Sequence, residues 1–365
     1  MALSFDLLPN PAPASDTERS AILDNPGFGK HFTDHMVTAT WTEGRGWHDG
    51  AVTAYGPITL MPAAAVLHYA QEIFEGLKAY RHADGSVWSF RPQANAQRLA
   101  RSAARLALPV LPEEDFIASL QAIVAADLAW VPDPGEGGEK SLYLRPFMYA
   151  SEAFLGVRPA HEVTYSVIAS PAGPYFAGGL KPVTLWISQH FARAGAGGTG
   201  AAKCGGNYAS SLAGQLEGIE HGCDQAVFLD SSTQTYIEEL GGMNLFFVTK
   251  DNHLVTPEIT GTILEGVTRS SILDLGKELG LDPHERRIEI EEWKEGVRTG
   301  EILEVFACGT AAVVTPVGEL RWEGGSAPST AGESGGEVTG TIRARLLDIQ
   351  YGRAEDTHGW LTRLA

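Results

Sequence analysis

Residues 195–211 read GAGGTGAAKCGGNYASS, a run of small residues holding one lysine, Lys203, with a tyrosine, Tyr208, five positions on. No other lysine of the chain has such a setting. A surface lysine needs no small neighbours. A lysine reached by a flat, phosphorylated molecule does, because the backbone must come close and bend sharply. The bland reading of such a run is a flexible loop with a solvated charge. A nucleotide P-loop does not fit: it needs Gly directly before Lys and Ser or Thr directly after. Here two alanines separate Gly200 from Lys203, and Cys204 follows.

A second unusual segment, YIEELGGMN at 236–244, sets two carboxylates, Glu238 and Glu239, against a Gly-Gly turn. A reactive lysine followed by a buried carboxylate suggests pyridoxal phosphate, its aldehyde held by the lysine and its ring nitrogen by the acid. Neighbouring strand residues face opposite ways, so only one of the two carboxylates can meet it.

The bulk properties exclude several classes. With 365 residues, two domains are expected, and 44% hydrophobic residues suffice for sizeable cores. A formal net charge of -18 repels phosphate backbones and anionic membranes, so nucleic acid is not an expected partner. Cys204, Cys223 and Cys308 cannot close a disulfide framework and lack CxxC spacing. The start, MALSFDLLPNPAPASDTERS, has neither a basic region nor a long apolar stretch, and no segment is long and apolar enough to span a membrane. The expected location is cytoplasmic.

Periodicity and breakers outline an α+β chain. Strands are predicted at 36–41, 51–58, from 141 and from 162, then at 183–188, 225–230, 243–249 and 253–256. Helices are predicted at 94–107, 113–130, 208–221, 266–279 and 338–350. In the helix at 94–107, Leu99, Ala103, Leu106 and Ala107 share a face, with Arg98, Arg101 and Arg105 elsewhere. Residues 1–27 read as an N-terminal arm and 28–169 as a small domain. The Gly/Pro-dense 170–182 reads as an interdomain linker and 183–365 as the large, cofactor-binding domain. The Gly/Ser-rich stretch 323–340 reads as mobile.

Several ordered motifs span almost the whole chain. They are FTDHM from Phe32, LHYAQEIFEGLKAYR from Leu67, RSAARL from Arg101 and SLYLRPF from Ser141. SPAGPYF from Ser170, GGTGAAKCGGNYASS from Gly197 and IEELGGMNLFFV from Ile237 follow, then LEGVTR from Leu264 and DIQYGR from Asp348. With these the chain resembles the branched-chain amino acid aminotransferases, pyridoxal phosphate enzymes of the two-domain fold called type IV.

The resemblance implies roles position by position. Lys203 matches the lysine that forms the internal aldimine with pyridoxal 5'-phosphate and then carries the proton. Tyr208 matches the partner of the cofactor's phenolic oxygen, and Glu239 the carboxylate on its pyridine nitrogen. Arg98, Val267, Thr268 and Thr310 match the phosphate cup. Phe32, Tyr69, Phe74, Tyr143 and Tyr175 match the substrate pocket, with Thr310 and Ala311 beside it. Arg145 matches the arginine that accepts the second carboxylate of glutamate. These roles suit the residue types: a helix N-terminus for phosphate and apolar walls for Leu, Ile and Val. The implied reaction is reversible ping-pong transamination of Leu, Ile and Val with 2-oxoglutarate, by a homodimer. Without the resemblance, Tyr69 and Phe74 read as ordinary core and Arg98 as a solvated helix arginine. His31 and His35 lie four apart, but the family has strand or loop there and HExxH is absent, so no metal is expected.

Two departures stand out. Some members carry a CxxC redox pair just after the phosphate-binding threonine; Ala312 and Thr315 occupy those positions here. Gly242 stands where the animal enzymes have Thr. The competing readings are another type IV enzyme, a D-amino acid aminotransferase or aminodeoxychorismate lyase, and a non-catalytic binding protein on the same scaffold. LHYAQEIFEGLKAYR argues against the first, and the intact Lys203, Tyr208, Glu239 and Thr268 against the second.

Overall fold

The computed structural model describes residues 2–135, 137–174 and 181–365, so Tyr175 and half of the expected linker lie outside the described residues. The chain divides into two units. Unit 1 comprises Met1–Ala177, Ala202–Gly205 and Asp348–Ala365; unit 2 comprises Gly178–Ala201 and Gly206–Leu347.

Unit 1 is built on a largely antiparallel sheet. Its strands are β1 (Asp6–Leu7), β2 (His35–Thr42), β3 (Gly46–Ala54), β4 (Glu72–Phe74), β5 (Leu77–Arg81), β6 (Val87–Phe90), β7 (Ser141–Ala150) and β8 (Glu162–Ala172). They run in the order β1-β3-β2-β8-β7-β5-β6, with β4 also on β7. Its helices are α1 (Asp16–Asp24), α2 (Ala65–Tyr69), α3 (Pro92–Arg105) and α4 (Glu113–Ala126). α3 starts at a proline, whose fixed φ suits a first helical position. Of the expected face it buries Leu99 and Ala103, joined by Ala96 a turn earlier, but the helix ends at Arg105, which leaves Leu106 half-buried and Ala107 exposed. α4 buries Phe116, Leu120 and Ile123 into the same core, against Leu142, Leu144, Val163 and Val167 of the sheet. Each such side chain contributes about 1.5–3 kcal/mol by leaving water.

Unit 2 holds strands β9 (Val183–Ser188), β10 (Gln225–Leu229), β11 (Ile237–Leu240), β12 (Asn244–Thr249), β13 (His253–Thr256), β14 (Asp282–Glu285), β15 (Ile302–Gly309), β16 (Val313–Trp322) and β17 (Gly325–Pro328). They form a mixed sheet in the order β11-β10-β9-β16-β15-β12-β13-β14, with β17 on β16. Helices α5 (Gly205–Glu220), α6 (Val267–Glu278), α7 (Ile290–Thr299) and α8 (Glu337–Gln350) accompany it. β12 is buried from Asn244 to Val248, so it reads as a continuous apolar run. Phe246 stacks on Phe306 at 5.2 Å, and Phe247 meets Trp293 of α7 edge-on at 5.0 Å.

Four expectations need correction. The arm 1–27 belongs to unit 1: β1 pairs with β3, and a Ser15–Glu18 capping box starts α1. Residues 348–365 do not belong with the second domain, because β18 (Leu361–Arg363) pairs with β6 in the first sheet. The stretch 323–340 carries β17 and the start of α8, since β17 completes a hairpin on β16. The helix expected at 113–130 ends at Ala126, and a short 3-10 turn, Leu128–Trp130, follows it. All three cysteines are free and buried. Among the described residues no helix is long and apolar enough to cross a membrane.

Candidate active site

In unit 1, Lys203 sits on the segment Ala202–Gly205. Ala202 and Cys204 anchor it in the apolar core. The Lys203 N–H donates to Ser102 Oγ at 2.9 Å, and the Phe74 N–H donates to the Lys203 carbonyl at 2.9 Å. The Gly205 N–H donates to the Glu72 carboxylate, which a Cβ at Gly205 would strike. A Cβ at Gly200, in unit 2, would strike the Thr262 backbone. At Gly200 the neighbouring backbone leaves no room for a side chain, and at Gly205 one would displace the Glu72 carboxylate.

The Lys203 amine lies 4.7 Å from the Phe74 ring centre, and the Arg145 guanidinium lies 4.7 Å from the same centre. Desolvation, then the charge of Arg98, pulls the amine down to about 8, with Glu75 acting the other way. Arg98 is buried, contrary to its reading as a solvated helix arginine. Its Nε and Nη2 each donate to Glu75 at 2.8 Å, and Asn95 Nδ2 donates to Glu75 at 2.7 Å. Burial pushes the fully buried Glu75 carboxyl up, but the Arg98 charge and hydrogen bonds outweigh this and hold it below its ordinary value.

Arg145 Nη2 donates to the Tyr143 hydroxyl at 3.0 Å, and its guanidinium lies over the Tyr143 ring at 5.3 Å. Its Nε is buried without a hydrogen-bond partner, and among the described residues Arg145 forms no ion pair. Phe74, Tyr143, Arg145 and Lys203 therefore gather in one cluster. Phe32 instead stacks on Tyr55 at 5.0 Å, and the half-exposed Tyr69 gives its hydroxyl to the Leu155 carbonyl.

In unit 2, Glu239 on β11 forms a buried ion pair with Arg193. It also accepts from the Leu264 N–H at 2.8 Å and from Asn244 Nδ2 at 3.3 Å. Arg193 Nη2 further donates to the carbonyls of Gly200 and Thr262, at 3.0 and 2.7 Å. Glu238 accepts from the Thr262 hydroxyl, and burial pushes its carboxyl up. Strand alternation separates the two carboxylates as expected, yet both are buried.

Asn244 also donates to the Leu264 carbonyl at 3.0 Å, and its side chain leaves no room for a Cβ at Gly266. It thus fixes the Glu239 carboxylate to the segment entering α6. Gly266 caps that helix with no side-chain hydrogen bond, and Val267 and Thr268 open its first turn. Such an end presents backbone N–H donors and the positive end of the helix dipole, a setting for a phosphate. Thr310 and Ala311 lie in the turn between β15 and β16. Tyr208, on α5, lies 3.8 Å from where a Gly242 Cβ would stand, an ordinary van der Waals contact with its ring.

Glu75, Arg193 and Asn244 escaped the sequence reading. The signal for Glu75 was an acid set directly after the apolar pair Ile73–Phe74; for Arg193 it was an arginine ten residues before Lys203.

The model of the amino-transferase class IV family matches residues 72–320. A branched-chain-amino-acid aminotransferase of Mycobacterium tuberculosis is 56% identical, covering 100% of this chain and 99% of its own. One of Mycolicibacterium smegmatis is 55% identical, covering 99% and 98%. Among solved structures, the Escherichia coli branched-chain amino acid aminotransferase superposes with a TM-score of 0.73 at 29% identity, covering 90% of this chain and 99% of that one. The T.th. branched-chain amino acid aminotransferase with pyridoxamine 5'-phosphate gives 0.72 at 30% identity, covering 90% and 98%.

Proposed function

From the premise that this chain belongs to the amino-transferase class IV family, and within it to the branched-chain-amino-acid aminotransferases, we propose that it exchanges the amino group of leucine, isoleucine or valine with 2-oxoglutarate. The cycle is reversible and ping-pong, with pyridoxal 5'-phosphate as cofactor. The observation that carries the reading is the Lys203 amine, pulled to about 8 beside Phe74 and Arg98. Such an amine is half neutral at pH 8, whereas an ordinary lysine is under about 1% neutral there.

Within each unit the residue types suit the part of the cofactor that the resemblance assigns to them. Lys203 would hold its aldehyde, and Glu239, kept ready by Arg193, would face its ring nitrogen. The uncapped start of α6 at Val267 and Thr268, with Arg98 and Thr310, would hold its phosphate, and Tyr208 its phenolic oxygen. When bound, the group supplies a carbonyl for amine exchange and a ring that takes up electron density from the substrate's Cα. With the group bound, Lys203 Nζ would take the proton from the substrate's Cα and deliver it to the carbon that had carried the aldehyde oxygen. Phe74 and Tyr143 give the apolar substrate side chain its surface and exclude water. Arg145 forms no close ion pair among the described residues, although its charge reaches the Glu72 carboxyl, and it would meet the side-chain carboxylate of glutamate. A buried carboxylate without such a partner would be strongly disfavoured. A cytoplasmic homodimer completes the reading. Its support is an exposed apolar group in unit 1, Met61, Leu67, Tyr69, Leu155 and Val157, of the kind that marks protein interfaces.

The deciding experiment follows the visible absorption of the purified protein during separate additions of leucine, glutamate and D-alanine. Leucine and glutamate should each bleach the band, and D-alanine should not. A response to D-alanine alone would favour the D-amino acid reading; no visible band would favour a binding protein.

Arg145→Met should separate the two substrate classes. Removal of one charge-assisted contact corresponds to roughly 2–3 kcal/mol, or about 30- to 150-fold in kcat/KM for glutamate and 2-oxoglutarate. Leucine should be nearly unaffected. Single-turnover measurements with each amino acid decide it, and parallel losses would reject the role.

A further inference from the structure

We propose that His253, Asp282 and His284 form a binding site for a divalent transition metal of the zinc or nickel type. The site arises from strand register. His253 of β13 lies directly opposite Asp282 of β14 in a parallel pair, and His284 is two residues beyond Asp282. Side chains two apart on a strand share a face, so all three project from one side of the sheet. Asp282 Oδ2 stands 2.8 Å from His284 Nε2 and 3.8 Å from His253 Nε2. All three donor atoms lie within 4.8 Å of one another.

Those spacings bracket what a small metal needs. With metal–nitrogen and metal–oxygen distances of about 2.0–2.2 Å, ligand atoms around a tetrahedral ion stand roughly 3.3 Å apart. Modest rotation of the two rings, whose centres are 4.5 Å apart, brings all three donors onto one ion. Two imidazoles and one carboxylate select borderline ions such as Zn²⁺ and Ni²⁺ over Mg²⁺ and Ca²⁺, which take oxygen ligands. The side chains of His253 and His284 are each 43% exposed, so the remaining coordination positions face solvent and water fills them. Metal binding would replace the proton of the Asp282–His284 hydrogen bond by the ion. Among the described residues β14 ends the strand order, so the ion clips this edge to its neighbour β13.

The site is unrelated to the residues assigned to transamination, and it is a different pair of histidines from the one weighed in the sequence. The two strands lie almost thirty residues apart in the chain, so only the register brings the donors together.

The test uses the purified holoenzyme, dialysed against a chelator and then into amino-acid-free buffer at pH 7.5. Calorimetric titration with ZnCl₂ or NiCl₂ should show one equivalent binding at micromolar concentration, and MgCl₂ none. His253→Ala, Asp282→Asn and His284→Ala should each weaken the titrated site by at least about tenfold, the lower end of what even indirect supports of a metal cost. Their unaltered melting curves in chelator would show that the fold is intact. Anomalous scattering from a zinc-soaked crystal should place the ion between these three side chains. Absence of a one-equivalent zinc or nickel site, or a site that persists undiminished in His253→Ala and His284→Ala, would overturn the assignment.

Discussion

Lys203→Ala should lower steady-state transamination by at least about four powers of ten, because one substitution removes both the covalent amine and the proton carrier. The loop that carries it should survive. Ala202 and Cys204 remain buried in unit 1, and the bonds from the Lys203 N–H to Ser102 and from Phe74 to the Lys203 carbonyl are made by the backbone. Cofactor should still be retained without a covalent link, since Glu239, Arg98 and the start of α6 are untouched. Turnover, cofactor content after gel filtration and the melting temperature measure the three parts separately. Turnover within tenfold of the parent would remove Lys203 from the mechanism.

Glu75→Ala should be the costliest single change to stability. It leaves the Arg98 guanidinium buried with its bidentate partner gone, a loss of about 3–5 kcal/mol in comparable pairs. Urea unfolding should report that difference at neutral pH, and Glu75→Leu with Arg98→Leu should recover much of it. The pH dependence follows from the depressed carboxyl of Glu75. A carboxyl lower in the fold than in the unfolded chain stabilises above its ordinary value, about 4.3, and loses that effect as pH falls through the folded value. The gap between parent and variant should therefore narrow in acid. A neutral-pH difference under about 1 kcal/mol would show that the pair is not a keystone of unit 1.

The legible part of the site was the part carried by local sequence. Lys203 stood out because charge is rare among so many small residues, although at two of those residues a side chain would meet Glu72 or Thr262. Alternation allowed only one of Glu238 and Glu239 and the resemblance selected Glu239; Arg193 forms its ion pair with Glu239, and its charge also reaches Glu238. That both are buried could not be read, because burial of Glu238 depends on Thr262, remote in the chain. Arg98 was legible only through the resemblance. Helical periodicity put it off the apolar stripe, and nothing local says that Glu75 waits for it. Strand pairing was the least legible: β17 and β18 are short, and a three- or four-residue strand has too little pattern to name its partner. The α7 helix went unassigned although Ile290, Trp293 and Val297 mark a buried face.

The placement of β18 has a consequence for how the protein is made. The sheet that begins with β1 gains its strand beside β6 only from residues 361–363, which leave the ribosome after all of unit 2. During synthesis, the edge of β6 stays open while more than 250 further residues emerge, a delay of roughly 10–50 s at about 5–20 residues per second. An open strand edge is a template for pairing with other chains. Until residues 361–363 emerge, the nascent first sheet keeps an open edge of the kind that chaperones shield.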